Sequence, residues 1–385
     1  MKIKFLKLKL ILFLIFIATF NSKASEYFTN PLSTRNGLSQ NDVHTIFQDS
    51  RKFIWICTND GLNRYDGYDF KIYNKGYKGL ESSLIETIAE DKNNNLWIGT
   101  ADKGIFYYNR LSDTFINIAS LSNLPSQNFP NNTPRIFIDD QNSTIWFYNT
   151  NSEFYKISLD KNFKKVTRIT QFKAGTDGLR STSIFSMIKD FTGRLWIGTS
   201  NGLHYYNYKT ATFKSISTIP NQVYSLSIID KSKIAINTEK KILIFDTENF
   251  SNKKSFDIST DSRLLYANNQ LWLASSTGIY IAEYNRLTNN FSGVSKIEEY
   301  NNWICNSLIM DANGVVWVGF GTAGIRQYKL NKKPFLHFGN ESPIGNNFIS
   351  SIIQDRFGGL WVGTFGTGVF RFPQTPTKAQ EKEFV

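Results

Sequence analysis

The sequence is poor in the residues that most often carry chemistry. It has two cysteines, Cys57 and Cys305, and three histidines, His44, His204 and His337. Two cysteines do not make a disulfide scaffold. They are read as small buried thiols, with a disulfide as the alternative if their repeats turn out to be neighbours. The histidines show no metal-ligand spacing, so no metal site is expected, and His44 and His204 are read as structural. No G-x-S-x-G, H-E-x-x-H or phosphate loop occurs. On this reading the chain has no catalytic residues and no cofactor. Long apolar runs are equally scarce: after residue 24 no segment is long enough to span a membrane. No stretch carries a helical period long enough to make a helical domain.

Aromatic residues are plentiful, at 15% of the sequence, and they recur in a pattern. "GLSQNDVHTIFQDSRKFIWICTNDGLNRYDGYDFKIY", from Gly37 to Tyr73, reads as four strands separated by turns. Related stretches are "IAEDKNNNLWIGTADKGIFYYN" from Ile88 and "MIKDFTGRLWIGTSNGLHYYN" from Met187. Two more are "LIMDANGVVWVGFGTAGIRQYK" from Leu308 and "IIQDRFGGLWVGTFGTGVFRF" from Ile352. Weaker copies surround Trp146 and Trp272, and one has Ala235 in place of the tryptophan. The equivalent positions are 55, 97, 146, 196, 235, 272, 317 and 361, so the period is about 37 to 50 residues.

Each part of the repeat has a physical task. Val43, Thr45 and Phe47 alternate with period two, as a half-buried strand requires. Asp190 to Gly193 is a turn signal, with glycine supplying a positive φ. The aspartates at 49, 91, 140, 190, 230, 311 and 355 recur there, which points to turn hydrogen bonds rather than acid–base work. The tryptophan offers a large apolar surface, and the small residues after it let the chain turn closely. Four strands cannot bury both faces alone, so each sheet must pack on the sheets before and after it, around a ring. The expected fold is an all-β β-propeller of four-stranded blades. Seven blades are favoured, with Tyr27 to Leu32 closing the ring as the outer strand of the last one; eight blades are the alternative. Residues 25–340 form the propeller, and residues 341–385 an additional repeat and tail, the start of a second propeller or an eighth blade. The blade holding Ala235 is expected to be among the softest.

Residues 1–24 read as a secretory signal peptide. Lys2, Lys4, Lys7 and Lys9 make a basic start, Leu10 to Phe20 an apolar run, and Ser22-Lys23-Ala24 a cleavage site. The mature chain would be periplasmic. The formal net charge of +12 then falls, because five of the 44 basic residues leave with the signal; the remaining 39 against 32 acidic residues give +7. The lysines are scattered through turns, so no nucleic-acid partner is expected; an acidic glycan is the sharper alternative to a merely solvated surface.

Binding residues are sought in loops on one rim, where outer strands join the next inner strand and second strands join third strands. These loops are rich in amides, hydroxyls and arginine: Arg35, Asn36, Gln40, Asn41, Arg180, Ser181, Thr182, Asn301, Asn302, Asn346 and Asn347. Such groups match sugar hydroxyls and sugar acids. Trp303 is the one tryptophan outside the repeat position and stands just before an inner strand, where it either stacks on a sugar or plugs the ring edge. The candidate ligand-binding set is Gln40, Asn41, Asn59, Asp60, Arg180 and Trp303.

The segment from Gly37-Leu38-Ser39-Gln40-Asn41-Asp42-Val43 through Asp60-Gly61-Leu62-Asn63-Arg64-Tyr65-Asp66-Gly67 resembles the regulator-propeller repeat of hybrid two-component sensors of Gram-negative bacteria. The resemblance covers essentially the whole chain after the leader. It implies an extracytoplasmic sensor that binds glycan fragments and controls polysaccharide use. Such sensors also have a second propeller, a β-sandwich module, a membrane span, a histidine kinase, a receiver and a DNA-binding helix-turn-helix. None is found in this sequence, which looks like a truncated or split version and is expected not to be an enzyme. The partners implied are an oligosaccharide ligand, a second propeller or membrane-anchored sensor region, and a second copy of the chain. The competing classes are a propeller lyase or hydrolase, with residues from several blades meeting on the channel axis, and a protein-interaction scaffold.

Overall fold

A computed structural model describes residues 27–330, apart from 126, 127, 134, 150–152, 176, 177, 240, 257–262, 286, 287, 289, 292, 293 and 301, and residues 348–372, apart from 357 and 358. The expectations placed on residues 1–24, Asn301, His337, Asn346 and Asn347 lie outside the described residues. The chain divides into two units, Met1–Asn331 and Lys332–Val385.

In the first unit, seven antiparallel sheets follow one another as blades 1 to 7. Their inner strands are Val43–Gln48, Ile85–Glu90, Arg135–Asp139, Ile184–Lys189, Val223–Ile228, Arg263–Ala267 and Cys305–Met310. Each inner strand lies beside the next, and that of blade 1 lies beside that of blade 7, so the ring closes. The outer strand of blade 7 comes from the start of the described chain. Tyr27–Leu32 pairs antiparallel with Gly324–Leu330, from Tyr27↔Leu330 to Leu32↔Ile325. This is the closing strand expected from the sequence, and seven sheets fit the favoured count. The second unit holds a three-stranded sheet, Ile349–Gln354, Leu360–Thr364 and Gly368–Phe372, with a small core of Val362, Phe370 and Phe372.

The core is a set of seams. Among the described residues of the ring, each of seven apolar clusters draws on two successive blades, the last joining blade 7 to blade 1. The repeated tryptophan is the wedge in most of them. Trp55 meets Tyr108 of blade 2 at 5.8 Å, Trp146 meets Tyr206 of blade 4 at 4.8 Å, and Trp317 meets Tyr65 of blade 1 at 6.0 Å. Trp272 meets the closing strand through Tyr27 at 5.2 Å. At the seam of blades 5 and 6, Ala235 is fully buried and the space is filled by Tyr284 and Phe291 of blade 6, with rings 4.9 Å apart.

The recurring aspartate does more than make a turn. One carboxylate oxygen of Asp190 accepts the N–H groups of Thr192 and Arg194, and the other accepts the indole N–H of Trp196 at 2.7 Å. The same indole bond joins Trp55 to Asp49, Trp97 to Asp91, Trp317 to Asp311 and Trp361 to Asp355, at 2.8 to 3.0 Å. Trp146 and Trp272 lack it. In blade 3 Asp140 instead accepts the N–H of Lys92, and blade 6 turns on Asn268 and Asn269, both at positive φ, without an aspartate. The turn position assigned to glycine is filled by Lys52, Asn94, Gly193 and Gly314, all at positive φ.

The small residue after the tryptophan serves the seam rather than a turn. A Cβ on Gly198 would come within 2.6 Å of Val223 in the next inner strand, and one on Gly319 within 2.6 Å of Val43. Cys57 occupies the corresponding place in blade 1; it and Cys305 are buried and form no disulfide. Burial pushes the Cys57 thiol well above its usual range, as for an inert packing residue.

Trp196→Ala removes a fully buried wedge and is expected to cost about 3–5 kcal/mol in denaturant unfolding. Asp190→Ala strands the buried indole N–H and the turn amides and is expected to cost about 2–4 kcal/mol, whereas Asp140→Ala, which touches no indole, costs about 1 kcal/mol or less. Equal losses in the two aspartate variants would show that the indole bond contributes nothing. Ala235→Trp overpacks a filled seam and is expected to lower the melting temperature.

Candidate functional site

One rim of the ring gathers the loops that join outer strands to the next inner strands and second strands to third strands. Gln40, Asn41, Asn59, Asp60, Arg180 and Trp303 all stand in such loops. Several are occupied in holding the rim together. Asn41 Oδ1 accepts the N–H of Thr34 at 2.9 Å, and its backbone carbonyl accepts the N–H of Gly324 in blade 7 at 3.0 Å. Asn59 Nδ2 donates to Asp42 Oδ2 at 2.7 Å. Trp303 is half-buried: its ring stacks on Tyr300 at 4.7 Å, meets Phe320 edge-on at 5.2 Å and has the Arg326 guanidinium 5.5 Å from its centroid. Gln40 is half-buried, and its buried Oε1 has no hydrogen-bond partner among the described residues. Asp60 and Arg180 are exposed.

The structure brings part of this set together. Asn41, Asn59 and the approach to Trp303 converge on the joint of blades 7 and 1, where a Cβ on Gly321 would lie 3.7 Å from Asp42 and 3.8 Å from Ile304. Arg180 enters blade 4, three blades away in either direction around the ring. Its backbone N–H donates to His204 Nε2 at 3.3 Å, so His204 is held as a buried structural residue.

Sequence reasoning missed a second group, at the channel mouth. The inner strands of blades 1, 2, 4, 5 and 7 each slip register by one residue near their start. The extra residues are His44, Glu86, Phe185, Tyr224 and Asn306, and such bulges re-aim side chains. His44 Nδ1 lies 3.4 Å from Glu86 Oε2, while His44 Nε2 is buried without a partner among the described residues. One place further along, most blades carry a hydroxyl that ties adjacent inner strands. Ser307 Oγ accepts the N–H of Ile46 at 2.9 Å, Ser186 Oγ that of Leu226 at 3.1 Å, and Ser225 Oγ that of Leu264 at 3.0 Å.

Blade 3 has Arg135 at that place. Its guanidinium reaches blades 1 and 7, donating to the carbonyls of His44 at 3.2 Å and Asn306 at 3.1 Å and to Thr45 Oγ1. An arginine where its equivalents are Thr45, Thr87, Ser186, Ser225 and Ser307 was a signal available in the sequence. Tyr148 adjoins this arginine; burial pushes its hydroxyl up, opposed by the charges of Arg135 and Arg263. The mouth therefore offers buried donors, one carboxylate and one imidazole: a set suited to hydrogen-bonding a polar ligand. Among the described residues no group of three or more His, Cys, Asp or Glu side chains is placed to hold a metal ion.

His204 gives the rim a measurable pH dependence. Burial lowers its pKa from 6.5 to about 4, helped by the Arg180 charge and opposed by a bond with the Gly202 backbone. The unfolded chain thus binds a proton that the folded chain refuses between about pH 6.5 and 4. Stability from this group is present above that window and is lost as pH falls through it, by about 3 kcal/mol in total. Urea unfolding at pH 7 and pH 4.5 should show a smaller acid loss in His204→Gln than in the parent. Equal losses would mean that His204 is not held neutral.

Residues 37–60, 79–102, 178–201 and 343–366 match the repeat family described as two component regulator propeller. Over 63 residues, 16% of this chain, the sequence is 38% identical to "Histidine kinase P4" of Formosa agariphila, of which the match covers 5%. The fold resembles the extracellular domain of a putative hybrid two component system from B. thetaiotaomicron, with a TM-score of 0.63 and 23% identity over 90% of this chain and 48% of that one. It also resembles the extracellular domain of a putative one component system from the same organism, at TM-score 0.61 and 23% identity over 90% and 46% of the two chains. A virginiamycin B lyase from Staphylococcus aureus is similar at TM-score 0.57 and 14% identity, over 79% of this chain and all of that one. Identities this low bear on the fold alone. The chain spans about half the length of the two extracellular domains.

Proposed function

From the premise that the chain carries repeats of the two component regulator propeller family, we propose that it is the extracytoplasmic ligand-sensing propeller of a two-component regulatory system. Its ligand is a glycan fragment, and the response it serves is polysaccharide use. The observation that carries the reading is the rim: a closed ring sets amide, carboxylate, guanidinium and aromatic groups around one mouth and pins their backbones by hydrogen bonds. A preformed concave surface with a few convergent polar groups is what a small polar ligand needs. The basic and apolar leader at residues 1–24, read as a signal peptide, supports a periplasmic place of action. Among the described residues no helix is long and apolar enough to cross a membrane. The partner proposed for passing the signal inward is a second propeller or a membrane-anchored sensor region.

On this rim Asp60 and, three blades away, Arg180 offer exposed polar groups, and Trp303 offers the uncovered part of its ring, while the Gln40 amide oxygen is buried beside them. Asn41 and Asn59 position the loops that carry them. Calorimetric titration of the chain from residue 25 onward with neutral and acidic oligosaccharides is expected to reveal binding, weakened about 10-fold or more in Trp303→Ala. Binding that Trp303→Ala leaves unchanged would reduce that residue to packing. No binding by any oligosaccharide would remove the glycan-sensing reading.

A further inference from the structure

We propose that the rim carries a separate subsite for an anionic substituent, a sulfate or carboxylate on the glycan, held by Lys75 and Lys103 over a glycine-bearing loop. This rests on the glycan-sensing reading and adds the chemical class of the ligand. The loop joins the outer strand of blade 1, Phe70–Tyr73, to the inner strand of blade 2, Ile85–Glu90. Lys103 comes from the loop of blade 2 equivalent to Asn59–Asp60 in blade 1, so the subsite shares the rim with the other candidate residues. Between them lies a cavity of about 360 Å³ lined by Lys75, Gly76, Gly79, Leu80, Glu81 and Lys103.

The outer strand of blade 1, this loop and the facing loop of blade 2 carry four lysines, Lys71, Lys75, Lys78 and Lys103, and the structure treats them differently. Lys71 and Lys78 each lie 3.1 Å from the Asp113 carboxylate, which also accepts the hydroxyls of Tyr77 and Tyr108. Burial works against ionisation of Asp113, but those hydroxyls and the two lysines outweigh it and hold its carboxyl far below the usual range. Asp113 is thus a fixed counter-charge, used up by its own neighbours. Lys75 and Lys103 are exposed, and among the described residues neither ammonium has an ion pair or a hydrogen bond. Glu81 is the one acid lining the cavity, and it bonds to neither lysine. Asp102, next to Lys103 in its loop, accepts the Ser82 hydroxyl and does not line the cavity. The lining itself, one carboxylate against two unpaired ammoniums, is net positive and holds a hydroxyl acceptor beside them.

The frame is rigid although the lysine stems are not. The N–H of Gly76 donates to the Leu80 carbonyl at 2.8 Å, that of Leu80 to Tyr77 at 2.9 Å, and that of Lys75 to Ser83 Oγ at 2.9 Å. The Phe115 N–H donates to the Lys78 carbonyl at 2.9 Å, and Asn117 Nδ2 to the Lys103 carbonyl at 3.1 Å. Gly79 sits at φ +95° with its Cα so close to blade 2 that a Cβ would fall 2.3 Å from the Phe115 carbonyl oxygen. Both lysine backbones are therefore fixed, and their ammonium groups are free to close on an anion. A compact charge on a flexible stem suits a tetrahedral sulfate or a single carboxylate oxygen.

The test uses three hexasaccharides as probes: a sulfated galactan fragment, oligogalacturonate and the neutral maltohexaose. Each is titrated into the parent chain, Lys75→Ala/Lys103→Ala and Lys103→Glu, with melting temperatures measured alongside. We expect at least one anionic probe to bind, about 10-fold or more weakly to the double alanine variant and more weakly still to Lys103→Glu, with melting unchanged and affinity falling steeply with salt. Sulfated galactan alone would identify sulfate as the substituent, and oligogalacturonate alone a carboxylate. Binding of an anionic probe that the lysine variants leave unaltered, or binding of maltohexaose alone, would overturn the subsite and spare the glycan-sensing reading. Failure of all three probes to bind the parent chain would overturn both.

Discussion

An indole ring wedged between neighbouring sheets sets the distance at which the blades meet, and the rest of the ring follows from that distance. The wedge cannot drift, because its N–H is tied to an aspartate that also organises the turn beneath it. In blades 1, 2, 4 and 7 position and spacing are thus fixed by one side-chain pair. The glycines after the tryptophan let the next inner strand approach until a single extra carbon would collide with it. Approach that close puts serine hydroxyls of one inner strand within reach of backbone amides of the next. It also makes the channel narrow enough for Arg135 to cross from blade 3 to blades 1 and 7. At the first seam the arrangement is strengthened by Arg110, which bonds Asp49 and Glu90 at 2.8 Å each while Asp49 still holds Trp55. A carboxylate buried this deeply is tolerable because it accepts three hydrogen bonds, from the Phe53 N–H, the Trp55 indole and the Arg110 guanidinium.

Much of this was legible from the residues. The blade period, the wedge positions and the closing strand at Tyr27–Leu32 could be read because each depends on local chemistry repeated many times: alternation, a turn, an indole. The second role of the aspartate was less visible. A turn aspartate and an indole-binding aspartate have the same sequence signature, and only the six-residue spacing to tryptophan, shared by most blades, hinted at the bond. The channel mouth was hidden for another reason. A bulge adds one residue without altering the motif around it, so nothing in the pattern announced that His44, Glu86 or Asn306 would be turned out of register. The reach of Arg135 to partners about 90 and 171 residues away is a property of the closed ring alone.

The rim residues teach a related lesson about reading function from composition. From sequence, amides in loops read as groups available to a ligand. Asn41 and Asn59 are instead spent on backbone and side-chain bonds that hold the joint of blades 7 and 1. What separates a positioning residue from a contacting one is whether its hydrogen-bonding capacity is already filled, and that depends on neighbours the sequence does not name. By the same criterion Lys75 and Lys103 stand apart from Lys71 and Lys78, although all four look alike as charges in turns.

A ring packed along every seam constrains how sensing could work. Protein interiors of this density do not bend smoothly, so a ligand seated on the rim has little freedom to reshape the blades beneath it. Ligand binding can alter a regulatory equilibrium only through a difference in affinity between two states. For a stiff propeller those states must differ in what lies against its loops rather than in the blades themselves. The parts best suited to register such a difference are side chains mounted on fixed backbone and not yet committed to partners. Lys75, Lys103, Arg180 and Asp60 meet that description, whereas the tryptophans and aspartates of the seams do not. On this argument the seams supply constancy, and the uncommitted rim groups supply the selectivity that a sensor requires.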